Sequence, residues 1–157
     1  MVQALKEAEA AFAEDEVPVG AVVADSSGRI LASAHNRPRA LNDPTAHAEM
    51  IALRRAGEAV LNYRLTGCVL VVTVEPCIMC MGAAVNARVA CLAYGAADPK
   101  AGAAGSLYDI ASDSRLNHRI ELVSGVREEE CRMMMQRFFR ARREQKADQS
   151  GEVPKWS

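Results

Sequence analysis

The chain has 157 residues, of which 50% are hydrophobic and 25% charged, with 19 Lys and Arg against 20 Asp and Glu. This length and composition fit one globular domain with a single core, and they exclude intrinsic disorder, fibres and small disulfide-stapled scaffolds. No apolar run approaches the roughly 20 residues of a membrane-spanning helix, and the charged N-terminus is unlike a signal peptide. We therefore expect a cytoplasmic protein whose five cysteines are thiols or metal ligands.

Hydrophobic periodicity predicts helices that alternate with strands after an opening hairpin. The segment Asp43-Pro44-Thr45 has the capping side chain and the early proline of a helix start. In chain order we predict a helix over 2–14, strands over 17–24 and 29–34, a helix from Asp43 to Val60, a strand over 68–74, a helix over 77–86, a strand over 89–94, a loop over 95–118 with room for one short helix, a strand over 120–124 and a helix over 128–147.

The order of these elements predicts the fold class. The strand–helix–strand segment over 68–94 should contain a parallel strand pair, because its connection is a helix. Helices alternating with mostly apolar strands indicate an α/β fold with three layers, α-β-α, and one mixed five-stranded sheet covered on both faces. We expect one domain over residues 1–147 and a polar C-terminal tail over 148–157.

Three residues in two predicted helices indicate a metal site. Cys77 and Cys80 are three residues apart, so on a helix both sulfurs lie on one face and can reach one ion. They follow Pro76 in the first turn, where the positive end of the helix dipole favours thiolates. His47 lies near the start of its own helix, so two helix N-termini can bring His47, Cys77 and Cys80 together.

The number of protein ligands distinguishes structural from catalytic zinc. A structural zinc normally has four, whereas a catalytic zinc has three and leaves a position for water, whose pKa then falls to about 7. Glu49 is two residues from His47 and can face the same substrate across the end of the helix, where a carboxylate suits general acid–base catalysis. His-x-Glu followed by Pro-Cys-x-x-Cys is the signature of zinc nucleobase deaminases, whereas a redox dithiol would leave His-x-Glu unexplained.

Motifs outside the metal site extend this match along the chain. They are Glu-Val-Pro-Val-Gly-Ala-Val at 16–22, Asn-Arg-Pro at 36–38, Asp-Pro-Thr-Ala-His-Ala-Glu at 43–49, Asn-Tyr-Arg-Leu at 62–65, Glu-Pro-Cys-Ile-Met-Cys at 75–80, Gly-Ala-Ala-Gly-Ser-Leu at 102–107, Asn-His-Arg at 117–119 and Phe-Phe-Arg at 138–140. With them, residues 1–143 resemble the bacterial tRNA-specific adenosine deaminases of the cytidine deaminase-like superfamily. The resemblance implies a cytidine deaminase-like fold, hydrolysis of adenosine to inosine at the wobble position of a tRNA anticodon, one zinc ion per chain and a homodimer whose second subunit helps to hold the RNA.

The resemblance also implies roles for individual residues. By it, His47, Cys77 and Cys80 bind zinc, Glu49 is the proton shuttle, Asn36 contacts the substrate base or its ribose, the backbone N–H of Ala48 helps to fix the reactive edge of the base, and Asp98 lies near the RNA. From the residues alone, Asn36 is also compatible with an Asx-turn and Asp98 with a plain turn before Pro99. Ala97 stands where relatives often have an arginine, so the chain departs from the family pattern at one RNA phosphate contact.

Charge is distributed unevenly along the chain. Residues 132–146 contain six basic residues and one acidic residue. The side of this helix with Arg137, Arg140 and Arg143 is either a phosphate-binding surface or a solvated face. Two rival functions remain open: a guanine, cytosine or nucleoside deaminase with the same zinc site, and an RNA-binding module with structural zinc. The second needs a fourth ligand, for which His35 and His118 lack chelate spacing.

Overall fold

The computed structural model describes residues 1–150, with side chains for residues 1–147. In chain order the elements are α1 (Val2–Ala13), β1 (Gly20–Ala24), β2 (Ile30–His35), α2 (Pro38–Leu41), α3 (Ala48–Val60), β3 (Val69–Val74), α4 (Ile78–Asn86), β4 (Cys91–Ala96), β5 (Glu121–Val123) and α5 (Glu128–Ser150). The last helix thus extends three residues into the predicted tail, and residues 151–157 lie outside the described part.

One mixed sheet in the order β2-β1-β3-β4-β5 forms the centre of the fold. β1 is antiparallel to β2 and β3, whereas β3, β4 and β5 are parallel. Helices α1 and α5 contact each other on one face of the sheet, and α3 and α4 contact each other on the other. The predicted three-layer architecture with a parallel pair across α4 is therefore confirmed.

Helix α3 starts later than predicted. Asp43 Oδ1 accepts the N–H of Thr45 at 2.8 Å and its hydroxyl at 2.7 Å, which closes an Asx-turn ahead of the helix. The first helical residue is Ala48, and His47 occupies the N-cap position without a side-chain capping bond. The prediction that Asp43 caps this helix is wrong, because its side chain is used by the turn.

Two other segments differ from the prediction. The short helix α2 was not predicted; its Ala40 N–H donates to the buried carboxylate of Glu16 at 2.8 Å. No helix forms within residues 95–118, where turns and two isolated bridges are found instead. Several N–H groups of this loop donate to the side chain of Glu75, so they are not available for helical bonding.

Helix α5 is held to the domain by its apolar side. Cys131, Met134 and Phe138 are buried, and the edge of the Phe138 ring packs on Phe12 of α1 with 5.5 Å between ring centroids. Phe139, the next residue along the helix, is 44% exposed. None of the helices in residues 1–150 is both long and apolar enough to cross a membrane.

Candidate metal centre and adjoining groove

Two helix N-termini meet at the predicted metal site. His47 is the N-cap of α3 and Cys77 the N-cap of α4, so both side chains lie at the positive ends of helix dipoles. Cys80 follows in the first turn of α4 and is fully buried. The convergence of helix ends is as predicted, although the boundary of α3 was not.

The three candidate ligand atoms form a nearly equilateral triangle. The sulfurs of Cys77 and Cys80 are 3.7 Å apart, and Nδ1 of His47 lies 3.7 Å from the first and 3.6 Å from the second. Within the described residues this is the one group of three or more His, Cys, Asp or Glu side chains that could hold a metal ion. No fourth such side chain joins it there.

Charge at the cluster favours a divalent cation. The contact with the Cys80 sulfur, partly offset by burial, lowers the pKa of Cys77 well below its usual range. The same contact and burial together raise the pKa of Cys80. The hydrogen bond to Cys77 also raises the pKa of the His47 imidazole. When both thiols ionise beside a neutral imidazole, the cluster has a charge of about −2, which a divalent ion neutralises.

Glu49 is a buried carboxyl group with few hydrogen-bond donors. The residue is 3% exposed, and burial raises the pKa of its carboxyl to about 7. Its partners in the described chain are its own N–H and the Cys80 thiol. A carboxyl group with a pKa near neutrality beside a metal-ligand cluster is suited to accept and return a proton.

Asn36 and Ala48 are linked to each other. Asn36 is 7% exposed, and its Oδ1 accepts the N–H of Ala48 at 2.8 Å. The bond fixes the orientation of the amide and leaves its Nδ2 without a partner among the described residues. A substrate atom that accepts from the Ala48 N–H would have to share that donor with Asn36.

Glu75 is the part of this region that sequence reasoning missed. It is 3% exposed and accepts the N–H groups of Asp98, Ala104 and Ser106, each at 3.0 Å, together with the Ser106 hydroxyl. Burial raises the pKa of its carboxyl, but these hydrogen bonds together lower the pKa by a larger amount, so the net shift is downward. The Asp98 side chain accepts the N–H groups of Lys100 and Ala101, which is the turn that the sequence left open.

A cavity of about 820 Å³ lies beside this loop and apart from the metal-ligand cluster. It is lined by Val74, Ala96, Ala97, Asp98, Lys100, Arg132, Met135, Gln136, Phe139, Arg140 and Arg143, and we call it the cationic groove. The side chains of Lys100, Arg140 and Arg143 make no hydrogen bond or ion pair within the described chain. Unpaired cations next to the exposed ring of Phe139 suit a ligand that is both anionic and planar.

Other basic residues of α5 have partners. Arg142 pairs with Asp15 at 2.9 Å, Arg132 pairs with Glu129, and Arg137 stacks over the Phe12 ring at 5.4 Å. Arg137, predicted on one basic side with Arg140 and Arg143, is therefore not part of the groove lining. The acidic N-terminal region neutralises Arg142 by direct contact, whereas Arg140 and Arg143 remain unpaired at the groove among the described residues.

The remaining histidines are engaged elsewhere. His35 Nδ1 lies 2.8 Å from Glu7 Oε2, and His118 Nε2 lies 2.6 Å from the carbonyl of Val89. Neither belongs to the metal-ligand group found in the described residues. Neither histidine therefore provides a fourth ligand to the cluster.

Comparisons with known proteins agree with this geometry. A profile of the MafB19-like deaminase family matches residues 1–143. The tRNA-specific adenosine deaminase of Haemophilus influenzae is 45% identical over 146 residues, which cover 93% of this chain and 84% of that protein. A solved structure from a study of A-to-I editing by tRNA:A34 deaminases superposes with a TM-score of 0.82 at 46% identity, over 85% of this chain and 96% of the other. The guanine deaminase of Nitrosomonas europaea shares the fold, with a TM-score of 0.75 at 23% identity over 86% of this chain and 80% of the other.

Proposed function

The chain belongs to the tRNA-specific adenosine deaminases, and from this membership we propose that it hydrolyses adenosine to inosine at the wobble position of a tRNA anticodon. The observation that carries the proposal is the meeting of His47, Cys77 and Cys80 with the buried Glu49 at two helix N-termini. The reaction consumes one water and releases ammonia from C6 of the purine. Loop bases are unpaired, so presenting one to the site costs little.

Zinc is the metal that we propose for the cluster, one ion per chain. Tetrahedral bonds of about 2.3 Å to sulfur and about 2.1 Å to nitrogen separate two sulfurs by about 3.8 Å and a sulfur from a nitrogen by about 3.6 Å. The separations of 3.7, 3.7 and 3.6 Å match these values. Held by His47, Cys77 and Cys80, a zinc ion would keep one coordination position open and would supply water with a pKa near neutrality.

Glu49 is the catalytic residue in this proposal. Its carboxylate takes one proton from the attacking water and delivers it to N1 of the purine, and it then passes the remaining hydroxyl proton to the departing amine, so that both protons move through one side chain. Burial of the carboxyl group, with a pKa of about 7, lets both protonation states be reached at neutral pH. The helix end places Glu49 one residue beyond Ala48 and two beyond His47, which puts ligand, backbone donor and shuttle in one short segment.

Asn36 is proposed to hold the substrate base or its ribose. Its Oδ1 is occupied by Ala48, so the free Nδ2 is the group that donates to an acceptor of the purine or the sugar. Ala48 contributes both by orienting Asn36 and through its own N–H, shared with the reactive edge of the base.

The cationic groove is proposed to bind the RNA backbone next to the flipped base. Lys100, Arg140 and Arg143 form no ion pair within the described residues, although Asp98 lines the same groove. These cations explain how a chain with a net charge of −1 binds a polyanion locally. A homodimer and a cytoplasmic location complete the proposal, in line with the family resemblance and the tRNA substrate.

The proposed function is tested by measuring zinc content together with inosine formation on an anticodon stem-loop. We expect about one zinc per chain and product that depends on the target adenosine. Fully zinc-loaded protein that yields no inosine would contradict the proposal. Free guanine, cytosine and nucleosides, assayed in parallel, test the rival deaminase activities, and turnover of a free base in preference to RNA would favour that alternative.

A further inference from the structure

The carboxylate of Glu75 has no capacity left for chemistry. Each of its oxygens accepts two hydrogen bonds, Oε1 from the N–H groups of Ala104 and Ser106 and Oε2 from the N–H of Asp98 and the Ser106 hydroxyl. A carboxylate offers about four lone-pair sites, so the group is saturated. Its contribution must be to hold the donors, which all lie in the loop of residues 97–106.

This loop connects the metal-ligand segment to the cationic groove. At one end, Gly102 forms an isolated antiparallel bridge with Cys77, and Ala103 N–H donates to the Pro76 carbonyl at 2.8 Å. At the other end, Ala97, Asp98 and Lys100 line the groove opposite α5. Close packing requires glycine at 102, because a Cβ there would collide with the Glu75 carboxylate.

We infer that Glu75 is a positioning residue for RNA binding: by holding the loop of residues 97–106 in place, it sets the position of the groove wall relative to the metal centre. The inference rests on the proposed function. It assigns to Glu75 no contact with substrate or metal, and its action on the reaction is through the loop. Losing this hold should weaken binding of RNA and leave the chemical step intact.

The substitution Glu75→Gln tests the inference with little change in side-chain volume. The Ser106 hydroxyl can rotate to become an acceptor, so the new NH₂ group will replace Oε2 and face the N–H of Asp98. The damage is therefore directed to the groove end of the loop. Two hydrogen-bond donors, the new NH₂ group and the Asp98 N–H, would then face each other in a buried position. We expect this to raise the KM for the stem-loop about tenfold and to leave kcat and zinc content unchanged.

Thr73→Val is the matched control. Thr73 lies on β3, is buried, and accepts the N–H of Gly20 at 3.1 Å through Oγ1, so its loss also leaves one buried donor unpaired but touches neither the loop nor the groove. We expect a lower thermal midpoint with KM unchanged. Ser106→Ala removes one of the four hydrogen bonds to Glu75, and it should raise KM about two- to threefold.

The outcomes separate this inference from the proposed function. If Glu75→Gln lowers the thermal midpoint but keeps the wild-type KM, as Thr73→Val should, Glu75 is only structural and the inference is wrong. Loss of zinc from Glu75→Gln would also overturn it, because the effect would then pass through the metal. If Glu75→Gln does not fold, Ser106→Ala decides by whether its KM rises or stays at the wild-type value. Inosine formation by the wild-type protein tests the proposed function independently.

Discussion

Glu49 and Glu75 have the same side chain and the same 3% exposure, yet their environments differ sharply. Glu75 accepts four hydrogen bonds, and its pKa is lowered. Glu49 has only its own N–H and a thiol as partners, and its pKa is raised to about 7. Low exposure alone therefore does not mark a reactive carboxyl group; how deeply the carboxyl is buried and how many donors surround it set its pKa together.

The difference suits two separate roles. A carboxylate saturated with donors stays ionised and rigid, which fits the task of holding a loop. A buried carboxyl group with few donors gains and loses a proton easily, which fits proton transfer. Substitutions that change charge without changing shape should therefore affect turnover at Glu49 and binding at Glu75.

The largest effect should follow from loss of the metal. Cys80→Ser, or treatment of the wild-type protein with a strong chelator, should abolish inosine formation, because the ion supplies the activated water. Zinc analysis and a stem-loop assay measure the two losses together. In the described part of the chain, the loop held by Glu75 is connected to the candidate metal ligands through the Cys77–Gly102 bridge alone. Loss of the metal should therefore lower the affinity for RNA less than threefold. A variant that lost zinc but still made inosine would remove the metal from the mechanism.

Glu49→Gln should have the next largest effect. The amide cannot accept the proton of water, so kcat should fall by at least about 10²–10⁴-fold, the usual contribution of general acid–base catalysis. Zinc content should remain near one per chain, and the thermal midpoint should not fall, because a neutral amide suits the buried position. Turnover within tenfold of wild type would contradict the shuttle role. Glu75→Gln is the natural comparison, since it should change KM instead of kcat.

Gly102→Ala should displace the loop held by Glu75 by steric overlap, without removing any of its hydrogen-bonding groups. The new Cβ would meet the carboxylate and the backbone carbonyl of Asp98, so the loop must move although every polar group is retained. We expect a KM increase of about tenfold and a loss of about 1–3 kcal/mol in unfolding free energy, as for other overpacked sites. Kinetics and chemical denaturation measure these quantities. Gly82→Ala, where a Cβ would meet nothing within 4 Å, provides the glycine control.

The smallest effects should come from single charges in the groove. Arg140→Gln and Arg143→Gln should each weaken stem-loop binding several-fold and reduce the slope of log affinity against log salt by about one. Arg142→Gln is the matched control, because Arg142 is already paired with Asp15. Binding titrations at several salt concentrations give the slopes. Equal slopes for all three variants and wild type would show that the groove does not bind phosphate.

The metal-ligand residues were predictable because their spacing is local. Cys77 and Cys80 lie within one helical turn, and His47 and Glu49 flank one helix start, so four positions could be named without long-range information. Helix and strand types were predicted from periodicity, but the start of α3 was wrong because Asp43 forms a turn that competes with capping. The short helix α2 was missed because it depends on Glu16, more than 20 residues away.

The rest depends on contacts between segments distant in the chain. Asp98 was predicted to lie near RNA from the resemblance alone. Its N–H donates to Glu75, 23 residues earlier in the chain, and no pattern in either segment predicts this contact. The division of basic residues on α5 into paired and unpaired groups likewise required the position of Asp15, which is separated from Arg142 by 127 residues.

The amino-acid sequence was sufficient for the three candidate ligands and the proposed shuttle, because these depend on residue type and close spacing. Its hydrophobic periodicity was sufficient for the α/β class, and its motifs over residues 16–140 for the family. Tertiary packing was needed to distinguish the two buried glutamates, since a carboxyl group's pKa depends on donors brought from elsewhere in the chain. It also left the side chains of Lys100, Arg140 and Arg143 without an ion-pair partner among the described residues, which gives a nearly neutral chain a localised cationic groove.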